Sequence, residues 1–282
     1  MGNPVAELTR EDLDPSDLGG RDPEFIKRYA LPFCAWLRKT YFRTEHEGLE
    51  NLPREMPFMV VSTHSGGPVL PDVWPMLATW WDRFSPEAPG YALVHDAVFR
   101  VPVVRNAMIK IGALRASRDN AERVLQAGGM LAILPGGDTE ALRSFRNRNR
   151  VDFRGHHFFV ELALRHGVPV VPVVNVGGHE VYFTLMSSRR LARWTGIERL
   201  TRVKTVPLNL GLPWGVWLGG FLPYLPLPAK ISYKVGEPFY FSRDPDLAQD
   251  ADYVRKRADE ISETMQAMVD DLAARRRFPV IG

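Results

Sequence analysis

The chain has 282 residues, 45% hydrophobic and 24% charged, a balance that suits a folded globular protein and excludes a disordered one. A formal net charge of only +3 lacks the strong basic excess of a dedicated nucleic-acid binder. The single cysteine, Cys34, excludes an internal disulfide and a cysteine-built metal cluster, and it fits a reducing compartment.

Residues 1–20 form a polar, acidic tail with no basic stretch leading into an apolar one, so no secretory leader is expected and the chain reads as cytoplasmic. Ala6 stands where a myristoylation signal requires Ser or Thr. Residues 21–48 form an amphipathic helical region, with a bend at Pro32. It mixes Phe25, Tyr29, Phe33, Trp36 and Tyr41 with Lys27, Arg28, Arg38 and Lys39. Such a helix either packs on the domain or lies in an anionic membrane surface, and one helix can do both.

Residues 49–282 read as one domain of alternating strands and helices. Residues 58–63 form an apolar strand without alternation, followed by a helix from about residue 73. Residues 91–95 form a second strand. Ser117 caps a helix that stops at Gly128, and residues 130–135 form a third strand. A helix over 156–165 ends at Gly167 and leads into a strand over 168–176. Residues 205–229 carry no charge, but five prolines and four glycines forbid a membrane-spanning helix there. That segment is either a buried loop-and-strand or an apolar surface with Trp214, Trp217, Phe221 and Tyr224 at a bilayer face. A last strand precedes a helix over 246–277. The expected class is α/β, with a largely parallel or mixed central sheet covered by helices and a membrane-facing N-terminal helical segment.

In such sheets functional groups gather beyond the C-terminal ends of the strands. His64 stands at one such end, followed by Gly66, Gly67 and, eight positions on, Asp72. A neutral histidine oriented by a carboxylate acts as a general base toward a hydroxyl, and the glycines permit close approach of backbone donors or substrate. Asp72, between Pro71 and a helix carrying Pro75, is equally placed to be a helix cap, and both roles stay open. No G-x-S-x-G, nucleotide-binding P-loop or His-Glu-x-x-His occurs, and His95–Asp96 reads as a structural pair. Arg143, Arg146, Arg148, Arg150 and Arg154 form either a solvated basic face or a phosphate-contacting one.

The stretches STHSGG…LPD, GALRAS, ILPGGDTEALRS and GVPVVPVVNVGGHE resemble, in order, the four motif blocks of the glycerolipid acyltransferase family. The third block is similar to the diacylglycerol acyltransferase-like branch. The resemblance implies transfer of a fatty acyl group from acyl-CoA or acyl carrier protein to a lipid hydroxyl, with no metal or other cofactor. The enzyme would work as a peripheral protein on the cytoplasmic face of a membrane. It implies His64 as base and Asp72 as its orienting acid, with Gly66 and Gly67 beside them. Gly112 and Arg115 match the second block, whose arginine is associated with acceptor phosphate. Pro135, Gly136 and Gly137 match the turn of the third block, and Pro169 and Pro172 the fourth. Two departures stand out. The family's first block is His-x4-Asp, whereas seven residues intervene here. Its third block carries glutamate directly after proline, where this chain has Gly136, with Glu140 and Arg143 the nearest acid and base; these two are expected at the substrate, with Gly66, Gly67, Arg115, Pro135, Gly136 and Gly137. Two alternatives remain open: a thioester hydrolase using water with the same histidine, and a catalytically silent lipid-binding protein.

Overall fold

A strand buried on both faces needs apolar side chains at every position, and residues 59–61 provide them at the centre of the sheet. A computed structural model describes residues 8–9, 12–194, 205–219 and 224–282 of the chain. Helix α1 spans residues 23–41, and the chain stays helical through Pro32. The π-helical turns Ile26–Ala30 and Leu37–Tyr41 flank the α-helical turns Leu31–Trp36. There follow β1 (Glu45–Glu47), β2 (Met59–Ser62), α2 (Trp74–Phe84), β3 (Gly90–Val94), α3 (Pro102–Lys110), β4 (Ala113–Arg115), α4 (Arg118–Gln126) and β5 (Met130–Ile133). The short helix α5 (Gly137–Ala141), α6 (Phe158–His166), β6 (Val170–Val176), β7 (Phe183–Ser188) and α7 (Arg189–Trp194) come next. The chain then forms β8 (Val206–Gly211), β9 (Gly215–Leu218), β10 (Ser232–Val235) and α8 (Ala251–Ala274).

The main sheet has the order β1-β10-β6-β2-β5-β3-β4. From β6 to β4 every pair is parallel; β10 runs antiparallel to β6, and β1 runs parallel to β10. The period of two along each strand divides the core between the faces. Met59 and Val61 of β2, with Val170 and Val174 of β6, pack under α4, α6 and α8. Val60, Val171 and Val173 face α1 and α2 through Ile26, Cys34, Trp80 and Trp81. The expected α/β class therefore holds, with helices on both faces.

Local chemistry sets the helix ends. Ser117 accepts from the Asn120 N–H at 3.1 Å, as a capping serine should. Helix α8 begins later than the expected residue 246, because the Asp250 side chain caps it by accepting from Asp252 and Tyr253. Asp72 caps nothing: α2 starts after Val73 with no side-chain cap.

The charge-free segment contributes β8 and β9 to a second sheet, β7-β8-β9, antiparallel throughout. Trp214 is exposed, but Trp217 and Tyr224, expected at a bilayer face, are both 7% exposed and point into the protein. Phe221 lies outside the described residues. Among those residues, no helix is long and apolar enough to cross a membrane.

Candidate active site

Parallel pairing brings the C-terminal ends of β5, β2 and β6 to one edge of the sheet. Val61 pairs with Ile133 and Ser62 with Val173. The His64 loop therefore lies between the Pro135–Gly137 turn on one side and the Gly177–Glu180 turn on the other. The geometry follows from strand order alone.

The eight-residue spacing is closed by a tight loop. Gly66, Gly67 and Leu70 all take positive φ, at 79°, 65° and 53°, and a 3-10 turn Gly67–Val69 reverses the chain. Asp72 returns beneath the histidine, and its Oδ2 accepts from His64 Nδ1 at 2.9 Å and from the Ser65 N–H at 2.7 Å. This bond places the proton on Nδ1 and leaves Nε2 without a partner among the described residues, ready to accept a proton. Burial opposes charging of His64, but the Asp72 carboxylate, followed by Glu140 and Asp138, outweighs it and raises the imidazole above its usual value. The two glycines serve the protein rather than an open substrate path on their α-carbons. A Cβ on Gly66 would lie 2.1 Å from Pro71, and one on Gly67 would lie 2.2 Å from the Tyr182 hydroxyl.

The third block supplies a second carboxylate from one turn further on. Glu140 Oε2 accepts the His64 backbone N–H at 3.0 Å. Gly136 makes room for this, since a Cβ there would lie 2.3 Å from that same oxygen. Burial pushes Glu140 up to about 7, against the opposing pull of Arg143. The Arg143 guanidinium lies 3.6 Å away and is itself lowered by burial. Glu140 and Arg143, expected at the substrate, are thus buried together behind the histidine loop.

The remaining sequence candidates separate. Arg115 ends β4, half-exposed, with its Nε 3.2 Å from Asp96. His95 accepts from the Ala97 N–H and is structural, as expected. Pro135 and Gly137 form the β5–α5 turn, and Gly112 takes a φ of 97° before β4. Pro169 and Pro172 lie at the start of β6 and within it, and the Pro169 carbonyl accepts from Met59. The arginine run is not one face: Arg143 turns inward, Arg148 stacks over Phe145, Arg154 pairs with Asp152, and Arg146 and Arg150 are exposed. Among the described residues, no cluster of three His, Cys, Asp or Glu side chains is arranged to hold a metal ion.

Several supporting residues are absent from the motif blocks. Tyr224 donates to the Gly66 carbonyl and Tyr233 to the Asp72 carbonyl, the latter at 2.9 Å. Asn175 donates to Thr63 and accepts from Ser65 Oγ, tying β6 to both sides of His64. The only sequence signal for them is polarity inside apolar runs, as at Asn175 within VPVVNV.

A family model described as diacylglycerol acyltransferase matches residues 18–261. An uncharacterized protein of Mycobacterium tuberculosis is 32% identical over 266 residues, covering 92% of this chain and 69% of its own length. Diacylglycerol O-acyltransferase 2 of Homo sapiens is 39% identical over 178 residues, 61% of this chain and 45% of that protein. The crystal structure of the 1-acyl-sn-glycerophosphate (LPA) acyltransferase from Thermotoga maritima shares the fold, with a TM-score of 0.54 at 22% identity over 92% of this chain and 86% of that one.

Removal of either carboxylate should lower the His64 pKa, because both raise it. Asp72→Asn and Glu140→Gln should each move the acid limb of the pH–activity profile to lower pH. Asp72→Asn should also lower kcat by about 10²–10⁴-fold. Glu140 is raised when folded, so its contribution to stability is present below its unfolded pKa and lost as pH rises through about 7. The melting temperature of Glu140→Gln minus that of wild type should therefore grow more positive from pH 5 to pH 8. An unmoved acid limb in both variants would contradict this electrostatic picture.

Proposed function

The chain belongs to the diacylglycerol acyltransferase family and is an acyltransferase acting on glycerolipids; from that premise we propose that it acylates the free hydroxyl of a phosphate-free glyceride at a membrane surface. The donor is a fatty acyl thioester on CoA or acyl carrier protein. The observation that carries the reading is the clamped His64: Nδ1 is held by buried Asp72 and Nε2 is open. His64 Nε2 takes the acceptor hydroxyl proton as the oxygen attacks the thioester carbonyl carbon. The tetrahedral intermediate collapses with cleavage of the C–S bond, and the thiolate leaves with the proton returned from His64. Asp72 holds the tautomer and stabilises the imidazolium; Glu140 and Arg143 position the histidine loop rather than the acceptor. Two features support a phosphate-free acceptor. The Glu140–Arg143 pair is buried, and the Arg115 charge is already met by Asp96.

The second sheet supports the membrane setting. Register pairs Leu208 with Leu218 and Leu210 with Val216, and Leu210, Val216, Leu218, Leu185 and Met186 are exposed on its outer side. Arg189, Arg190 and Arg193 of α7, with exposed Trp194, adjoin this apolar face. Apolar area beside basic side chains suits an anionic lipid surface. On the inner side Trp217 packs against Tyr182 and Tyr224, which cover Gly67 and Gly66. Exposed Trp36 of α1 joins the same region through Tyr41, whose hydroxyl donates to the Pro226 carbonyl at 2.5 Å. The sheet thus separates the lipid-facing surface from the histidine by one layer of aromatic rings.

Purified protein in vesicles, offered acyl-CoA or acyl carrier protein donors with diacylglycerol, monoacylglycerol, lysophosphatidate or no acceptor, should form acylated neutral glyceride. His64→Ala should lose about 10²–10⁴-fold in turnover. Donor consumption at an equal rate without acceptor would favour a hydrolase, and acylation of lysophosphatidate alone would overturn the acceptor assignment.

Sedimentation with anionic vesicles should be strong for the wild type and lost in Val216→Asp/Leu218→Asp. Each Arg→Gln change at 189, 190 or 193 should weaken it by about 1 kcal/mol. Binding of the double variant at wild-type strength would place the lipid contact elsewhere.

A further inference from the structure

The turn after β6 brings a second histidine to the active site. Gly177 takes a φ of 106°, and the 3-10 turn Gly178–Glu180 crosses directly against the His64 loop. A Cβ on Gly178 would lie 1.9 Å from Ser65 Oγ, and one on Gly66 would lie 2.7 Å from the Gly178 carbonyl oxygen. The residues just after His64 and the residue just before His179 are therefore in direct contact. His179 itself is only 8% exposed.

Buried histidines normally donate their ring N–H to a carboxylate or a backbone carbonyl. His64 does so through Asp72. The His179 ring has no hydrogen-bond partner among the described residues, and neither of its nitrogens is sealed away from solvent. Burial first, then Arg143, His64 and Arg148, drive its pKa down to about 3. His179 thus stays neutral throughout the working pH range and cannot serve as the base. Its ring N–H remains a donor, strengthened by the same positive surroundings that prevent it from charging. The glutamate beside it is otherwise engaged: Glu180 accepts from Arg276 at 2.5 Å and from the Val280 N–H at 2.7 Å.

We infer that His179 is a further catalytic residue, whose ring N–H donates to the thioester carbonyl oxygen as that oxygen becomes negative. This assignment rests on the acyl-transfer reading above. As the acceptor oxygen bonds to the carbonyl carbon and its proton passes to His64 Nε2, the C=O π pair moves onto oxygen and is met by the His179 N–H. When the C=O bond re-forms, the C–S bond breaks, its electron pair leaves with sulfur, and His64 returns the proton. His179 neither gains nor loses a proton. A preformed donor at a developing oxyanion stabilises the transition state more than the ground state.

The test compares His179→Ala, His179→Gln and His179→Phe in vesicles, reading kcat, the KM of each substrate, the pH–rate profile and the melting temperature. Loss of the donor should lower kcat by about 10²–10³-fold in the Ala and Phe variants. KM values should stay near wild type, and the acid limb set by His64 should not move. His179→Gln, which keeps an N–H donor, should recover part of the loss. Wild-type kcat in His179→Phe would overturn the proposal, and so would an equal fall in all three variants that tracks their melting temperatures. The thioester oxyanion is common to every acceptor, water included. If the wild type prefers another acceptor, the glyceride assignment fails while the comparison among His179 variants still decides the donor role.

Discussion

Asp72 is 4% exposed, and a carboxylate withdrawn that far from water is tolerable only where protein donors replace the water. Its Oδ2 receives two, His64 Nδ1 and the Ser65 N–H. Its Oδ1 is buried without a partner among the described residues, so the charge is not dispersed there and acts on the imidazole. Closing the loop this tightly requires positive φ at Gly66, Gly67 and Leu70, and at Leu70 the conformation is a strained one. The loop therefore needs support from outside. Tyr233 of β10 provides it by donating to the Asp72 carbonyl, and Tyr233 is stacked on His46 of β1, ring centroids 4.7 Å apart. The two edge strands that extend the parallel sheet thus hold the site in shape.

The same demand explains the aromatic layer. A loop rich in glycine has few side chains of its own to exclude water, and Tyr182, Tyr224 and Trp217 cover it from the second sheet. Tyr182 is pushed up to about 12 by burial, so its phenol stays protonated. Dry surroundings strengthen the His64–Asp72 interaction and would also protect a thioester from water. The inner side of the small sheet follows from this electrostatic need, and its outer side is left apolar.

The sheet centre was legible because β2, β5 and β6 are short apolar runs that admit no amphipathic alternative. The strands that escaped notice, β1 and β4, are only three residues long, and pairing with a neighbour rather than local propensity makes them strands. β7 carries no signal that sets it apart as a strand, and the prolines and glycines around β8 and β9 read only as a mixed loop-and-strand segment. Its alternation becomes meaningful only once Asn209 and Trp217 are seen to share an inner side. At the site, His64 was visible from its place after an apolar strand. Whether Asp72 reached it was not, because contact depends on three left-handed residues rather than on helical or strand spacing. The carboxylate of the third block stands four residues after Gly136 yet still reaches the histidine loop. Gly136 lacks the side chain, and Glu140 folds back over it to reach the His64 N–H.

His64 and His179 illustrate how one edge of a sheet gives two imidazoles different chemistry. His179 is buried and His64 partly exposed, and desolvation alone would hold both neutral. What separates them is the sign of the charge each one faces. Asp72, Glu140 and Asp138 lie toward His64 and raise it, whereas Arg143, Arg148 and His64 itself lie toward His179 and lower it. Arg143 works on both sides, since it also favours the ionised form of Glu140, the form in which that carboxylate raises His64. A pair of titratable groups pushed apart in this way divides the labour of a proton-transfer reaction. The member that can charge carries the proton, and the member that cannot is left to hydrogen-bond. In the proposed reaction, protonation of His64 would add another positive charge beside His179. The neutral ring would thereby become a better donor as negative charge builds on the acyl carbonyl oxygen, coupling the two histidines.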